Sequence, residues 1–138
     1  MIDLALTNNN YFDIDFENGD FKYCYDLKTA ILMAIFCEKR ADPLQVPQID
    51  QRRGDFTNQF NLVNGYEVGS LYWLYTSQNK IDEANKEDLQ DTINESLQWL
   101  IDDNYLNDIE CNVEIADNQY VTNIATTDTF NAKTSYTF

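Results

Sequence analysis

The residues of this chain best suited to recognition chemistry are its arginines. Arg40, Arg52 and Arg53 are the complete set, and they fall in one stretch, Glu38 to Phe56, that also holds both prolines, Pro43 and Pro47. A guanidinium stays charged and forks onto carboxylates through two parallel bonds, so clustering every copy makes a carboxylate-recognising segment. Two targets are open: the protein's own acids, giving an internal clamp, or the surface of a partner. Lys39 and Arg40 directly follow the buried helix expected over 27–38. They could satisfy the last carbonyls and the dipole of a helix ending there. Arg52-Arg53-Gly54-Asp55 comes after the prolines, where Gly54 permits a tight or left-handed turn. For this pair the alternatives are a salt bridge to a downstream acidic helix and an external contact.

The other dense feature is acid. Between residues 81 and 117 there are twelve Asp and Glu against a single lysine, Lys86. A glycosidase needs two carboxylates at a defined separation. No pair stands out here, and most of these acids take the polar positions of a helix or strand, as a solvated face would. Calcium would need a spaced oxygen loop, which neither Asp13-Ile14-Asp15 nor Asp102-Asp103-Asn104 provides. The chain has no histidine, which removes Ser-His-Asp and Cys-His nucleophile arrangements. Zinc is left with only Cys and carboxylate ligands, an uncommon set. Cys24, Cys37 and Cys111 are odd in number and widely spaced, so they are expected to be reduced, buried, small apolar residues. Phosphate-cradling glycine motifs are absent. No catalytic, metal or cofactor site is expected.

The elements that must position the arginines follow from periodicity. Residues 2–25 alternate, with Phe12, Ile14 and Phe16 opposite Asp13, Asp15 and Glu17, and Asn18-Gly19-Asp20 marks a turn into Phe21, Tyr23 and Tyr25. This predicts an N-terminal hairpin of half-buried strands. Asp26 is the expected N-cap of a helix over 27–38, buried on most sides and ended ahead of Pro43. Residues 39–68 have no period and read as a long, packed or partner-facing loop. Ser70 is placed to cap a short helix over 70–77. Leu89, Ile93, Leu97, Leu100 and Ile101 form the stripe of an amphipathic helix from Asp82 or Asn85 to about 102. Trp73 and Trp99 fall on helical faces and are expected in the core. Alternation returns over 105–116, Asp117-Asn118 suggests a turn, and the Thr- and Tyr-rich residues 119–138 read as further strands. The prediction is a single α+β domain over 1–138: an N-terminal β-hairpin, three helices and C-terminal antiparallel strands, with a strand-rich tail over 117–138.

Bulk properties set the outer limits. At 138 residues and 43% apolar content, one domain burying roughly 70% of its unfolded surface is expected. The net charge of -15 argues against nucleic acid and anionic membrane as partners, because both require a basic surface. The longest apolar run, Ala30 to Cys37, is too short to span a bilayer. The opening MIDLALTNNN has no basic n-region or cleavage site, so the chain is expected to remain where it is made.

Four short motifs follow one another along the chain: Thr29-Ala30-Ile31 through Ile35-Phe36-Cys37-Glu38-Lys39-Arg40-Ala41, then Arg52-Arg53-Gly54-Asp55-Phe56, then Gly69-Ser70-Leu71-Tyr72-Trp73-Leu74, and last Glu95-Ser96-Leu97-Gln98-Trp99-Leu100-Ile101-Asp102-Asp103. Their order resembles the baseplate wedge family of Mu-like contractile-tailed bacteriophages, over roughly residues 10–116. A tryptophan pair that follows Arg-Arg-Gly in that family is replaced here by Asp55-Phe56. The Glu-Pro-Arg motif of the related T-even phage and type VI secretion proteins is also absent. The resemblance implies a structural role without enzymatic activity, at the baseplate of a virion tail assembled in the host cytoplasm. Implied partners are other wedge proteins, the tail sheath subunit and the central hub or spike, with several copies in a ring. Implied partner-binding residues are Arg40, Arg52, Arg53, Gly54 and Phe56. The implied means is β-augmentation at an open sheet edge, for which strands within 119–138 are the candidates. A cell-wall glycosidase using an acid pair and a soluble regulatory adaptor of similar fold are the competing readings.

Overall fold

A computed structural model describes residues 3–5, 14–24, 27–55, 58, 67–77 and 81–138. In chain order the elements are β1 (Asp3–Leu4), β2 (Phe16–Glu17), β3 (Asp20–Phe21), β4 (Tyr23–Cys24), α1 (Lys28–Phe36), a 3-10 turn (Ile49–Gln51), α2 (Tyr72–Ser77), α3 (Glu83–Asp102), β5 (Leu106–Ala116), β6 (Gln119–Asp128) and β7 (Lys133–Thr137). This is the α+β arrangement expected, with an N-terminal hairpin, three helices and a C-terminal antiparallel sheet.

α3 is the organising helix. Asp82 caps its start, its side chain accepting from the Asn85 amide at 2.8 Å. At the far end Asn104 takes a left-handed φ of 60°. The Asn104 and Tyr105 amides return to the carbonyls of Ile101 and Leu100, each at 2.9 Å, which closes the helix in the 5→2 and 6→1 pattern of a left-handed cap. Leu89, Ile93, Leu97 and Leu100 have no exposure. They pack with Ile31, Ala34 and Ile35 of α1 and with Leu106, Val113 and Ile124 of the sheet. Apolar residues spaced three and four apart share one helix face, so α3 buries a single stripe between α1 and the strands.

The sheet has the order β5-β6-β7, and all its pairings are antiparallel. Asp117 and Asn118 join β5 to β6 with φ of 49° and 58°. Two successive positive φ values give the turn whose twist suits a two-residue hairpin. Val113, Thr122, Ile124 and Thr126 face the helices and are buried. Alternate residues such as Asp108, Glu110, Asn112 and Glu114 are exposed, the pattern of an antiparallel sheet wet on one side.

Three expectations need correction. The N-terminal hairpin forms around Asn18-Gly19, but Phe16 is 61% and Tyr23 is 56% exposed, so these two residues are not half-buried. Among the described residues the β1–β4 and β2–β3 ladders hold two residue pairs each. Phe12, Tyr25 and the proposed cap Asp26 lie outside the described residues. Second, α1 ends at Phe36, not at 38, and Pro43 is not what stops it. Cys37 turns extended because the residues after it pair with two other segments. Met33 and Phe36 also remain exposed on α1. Third, Cys37 and Cys111 are unpaired, as expected, but only half-buried. Among the described residues no helix is long and apolar enough to cross a membrane.

Candidate functional site

The arginine segment is built outward from residues 37–41. This short extended run is bonded on both sides. On one side the Ser70 amide donates to the Cys37 carbonyl at 2.9 Å and the Lys39 amide donates to the Ser70 carbonyl at 3.0 Å, forming a parallel bridge between Glu38 and Ser70. On the other, the Asp55 amide donates to the Glu38 carbonyl at 2.6 Å and the Ala41 amide to the Arg52 carbonyl at 3.0 Å. The Trp73 indole N–H closes the set on the Lys39 carbonyl at 2.9 Å. Residues 42–51 therefore leave and re-enter at adjacent points, the geometry of an Ω-loop.

Two glycines allow that crowding. Gly69 has φ 103° and passes so close to the Cys37 carbonyl that a Cβ would overlap its oxygen. Gly54, at φ 117°, would place a Cβ 3.0 Å from the Cβ of Arg40. Ser70 fills the expected capping role. Its hydroxyl accepts from the Tyr72 amide at 3.0 Å and donates to the Ile35 carbonyl at 2.6 Å, tying α2 to α1.

The three guanidiniums brace this loop. Arg52 donates from Nε to the Val46 carbonyl and from Nη2 to the Pro47 carbonyl, both at 2.8 Å. Arg40 donates to the Arg53 carbonyl at 3.2 Å and reaches the Ile49 carbonyl at 3.4 Å. Arg53 binds Glu38 Oε1 at 2.7 Å, and its guanidinium carbon lies 4.8 Å from the centre of the Trp73 ring. The helix-end role expected of Lys39 and Arg40 is not what they perform. Arg40 closes the loop, and Lys39 reaches Glu95 of α3 at 3.6 Å. Nor does the Arg52-Arg53 pair reach the acidic helix; Arg53 takes Glu38 instead. Arg40, Arg52, Arg53 and Gly54 thus come together, whereas Phe56 lies outside the described residues.

This arrangement separates shape from charge. Carbonyl oxygens orient a guanidinium without neutralising it. Among the described residues, Arg40 and Arg52 are held by carbonyls alone, so two positive charges stay fixed on the surface of an acidic protein. Beside them the loop exposes Leu44 at 97% and Ile49 at 69%. A cleft of about 510 Å³ separates the loop from α2, with Val46, Pro47, Arg53, Trp73 and Leu74 among its walls. Sequence reasoning missed Leu44, Ile49, Glu38 and Gly69. Leu44 could have been found as an apolar residue between two prolines. Glu38 and Gly69 depend on approaches between distant segments.

Burial pushes the Cys111 thiol up to about 11, and burial followed by the Asp55 charge raises Cys37. Both thiols are held protonated near neutral pH and are poor nucleophiles there. Among the described residues no group of three His, Cys, Asp or Glu is placed to hold a metal ion.

A family model described as "Phage protein GP46" matches residues 27–133, which takes in α1, the arginine loop, α2, α3 and the sheet as far as the start of β7. No curated protein and no solved structure matches the chain.

Proposed function

This chain belongs to the phage protein GP46 family, and we propose that it acts there as a non-enzymatic structural component of a contractile-tail baseplate. In this reading it joins wedge subunits and starts sheath assembly in the host cytoplasm, then remains in the virion tail. Its partners are other wedge proteins, the sheath subunit and the hub. The contacts are the arginine loop, through Arg40, Arg52, Arg53, Gly54 and Phe56, and a strand added to the sheet.

The observation that carries the reading is the β7 edge. Thr122 of β6 and Phe138 exchange both backbone bonds at 2.9 Å. By the alternation of an antiparallel ladder, Thr134 and Tyr136 also turn their backbone groups towards β6, and Lys133, Ser135 and Thr137 turn theirs outward. Lys133, Ser135 and Thr137 are exposed. An edge of this kind accepts a strand from a neighbour through main-chain bonds. β6 lies in the middle of the sheet, so within 119–138 only β7 offers such an edge. The opposite edge, β5, is partly closed: the side chain of Gln90 in α3 accepts from the Val113 amide at 3.1 Å.

Ser135→Pro tests the reading. Proline removes an N–H that faces away from β6, so the sheet survives while the edge loses a donor. In a tail-assembly complementation assay the variant is expected to accumulate as folded protein and yield no sheathed tails. Sheathed tails at normal yield from a folded variant would remove β7 augmentation from the proposal.

A further inference from the structure

Taking the arginine loop as a contact, as proposed above, we infer that the cleft between this loop and α2 receives an extended peptide segment of a partner protein. The segment carries an apolar residue and one carboxylate, and that carboxylate takes the Arg53 guanidinium from Glu38. Arg53 differs from the other two arginines. Arg40 and Arg52 each spend two N–H groups on carbonyls of the loop. Among the described residues, Arg53 spends one, from Nη1 to Glu38 Oε1, and its side chain is 48% exposed. A guanidinium carries five N–H groups in a planar fork, so a two-bond face for a carboxylate is left over. Two features hold that fork in place. Its carbon lies over the Trp73 ring, 4.8 Å from the centre, and the indole is tied in turn to the Lys39 carbonyl. The Arg53 backbone takes a φ of 49°, a left-handed conformation costly for a residue with a side chain and characteristic of ligand clamps.

The cleft supplies the rest of a peptide site. Val46, Pro47 and Leu74 give it apolar walls beside Arg53 and Trp73. Gln48 and Gln51, also in its lining, bring amides that can both donate to and accept from an extended backbone. Charge selects the occupant. The segment from Lys39 to Arg53 carries four cations against Asp42 and Asp50, a net charge of +2 in a chain of net charge -15. An anion is drawn to this segment and repelled by the acidic remainder. Asp50 also lines the cleft, which disfavours a second carboxylate beside the first. The fit is therefore to one carboxylate on an otherwise neutral segment. Nucleic acid, charged at every phosphate, does not meet that description.

Titration of the purified chain with peptide, followed by NMR at the Trp73 indole N–H, tests this recognition. The probe is a serine-based hexapeptide with a leucine two residues before a single glutamate, which puts both on one side of an extended backbone. The control has glutamine for glutamate and is expected to bind roughly tenfold more weakly, the worth of a hydrogen bond to a charged group. Arg53→Ala is expected to lose a similar factor, and Arg53→Lys, which keeps the charge without the fork, to lose part of it. Glu38→Gln removes the internal competitor and keeps its backbone bonds, so binding is expected to tighten about twofold, the scale of a surface ion pair. A purely structural Arg53–Glu38 pair would not give that sign. Failure of both peptides to bind, equal binding of the two, unchanged binding by both Arg53 variants, or unchanged or weaker binding by Glu38→Gln would overturn the inference. So would tighter binding of a single-stranded oligonucleotide, or shifts at Trp73 that follow protein concentration without peptide, the mark of a second copy. Normal sheathed tails from a folded Arg53→Ala chain, with peptide binding intact in the wild type, would instead remove the loop from the baseplate reading, so the two fail separately.

Discussion

Leu97 and Leu44 are the same residue type in opposite circumstances. Leu97 has no exposure and is enclosed by α1, α3 and the sheet, whereas Leu44 is almost wholly in solvent on a loop shaped by guanidinium–carbonyl bonds. The α3 core derives its order from apolar burial, which is non-directional and grows with area removed from water. The arginine loop derives its order from directed polar bonds at its base, and this leaves its apolar side chains free. A region held by burial cannot also present its apolar residues to a partner. A region held by backbone-directed arginines can.

The contrast is tested most severely in the core. Leu97→Ala removes atoms from a site with no exposure and leaves a cavity, so unfolding is expected to become easier by about 2–5 kcal/mol, read from the urea midpoint. A loss below about 0.5 kcal/mol, the size of an ordinary surface change, would mean that the core does not rest on the α3 stripe. Gly69→Ala attacks the junction between the two regions. It places a Cβ against the Cys37 carbonyl at a left-handed φ, and strain plus overlap are expected to cost about 2–4 kcal/mol. If the variant unfolded like the wild type, the close pairing of 37–39 with 69–70 would be wrong.

These two regions also differ in how far they could be read from sequence. The α3 stripe, its Asp82 cap, the Asp102-Asp103-Asn104 stop, the Ser70 cap and the Asp117-Asn118 turn are local signals, and each appears where spacing placed it. The loop was legible as a packed segment with clustered arginines, but not in its bonds. Arg52 spends its donors on the Val46 and Pro47 carbonyls, and a backbone carbonyl has no residue type by which sequence can announce it. The end of α1 was misread for a related reason. Pro43 is a visible stop signal, whereas the pairing of Cys37 and Lys39 with Ser70, across about thirty residues, leaves no local mark. The N-terminal hairpin shows the opposite error: alternation marks the strands and their turn but does not show that Phe16 and Tyr23 stand exposed.

Arg52→Ala sharpens the comparison at lower energy. It deletes two bonds that hold the loop and none that hold the core. Global stability is expected to fall by only about 1 kcal/mol, the net worth of an ordinary hydrogen bond, because the Arg52–Pro47 bond is exposed to water. Amide exchange at 44–51 is expected to accelerate well beyond that, because local opening need not pass through global unfolding. Exchange that accelerates equally in α3 would show that loop and core open as one unit.

The smallest expected effect concerns Arg53, whose bond to Glu38 is exposed. Its pair with Glu38 at 2.7 Å lies at the surface, with both side chains substantially in solvent, so Coulomb attraction there is weak and screened by salt. Its approach to Trp73 adds a cation–π contact at a partly buried ring. A double-mutant cycle over Arg53→Ala and Glu38→Ala is expected to give a coupling of about 0.5 kcal/mol that shrinks in 1 M salt. The corresponding cycle with Trp73→Leu is expected to give about 0.5–1 kcal/mol with less salt dependence. Arg53→Lys separates the two contributions further, since an ammonium keeps the charge for Glu38 but loses the planar face that stacks on the indole. A coupling to Glu38 above about 2 kcal/mol would place Arg53 in a desolvated site and make the base of the loop resemble the core. A small, salt-sensitive value keeps the two regions distinct, with the loop's shape set by Arg40 and Arg52 and Arg53 contributing chiefly charge.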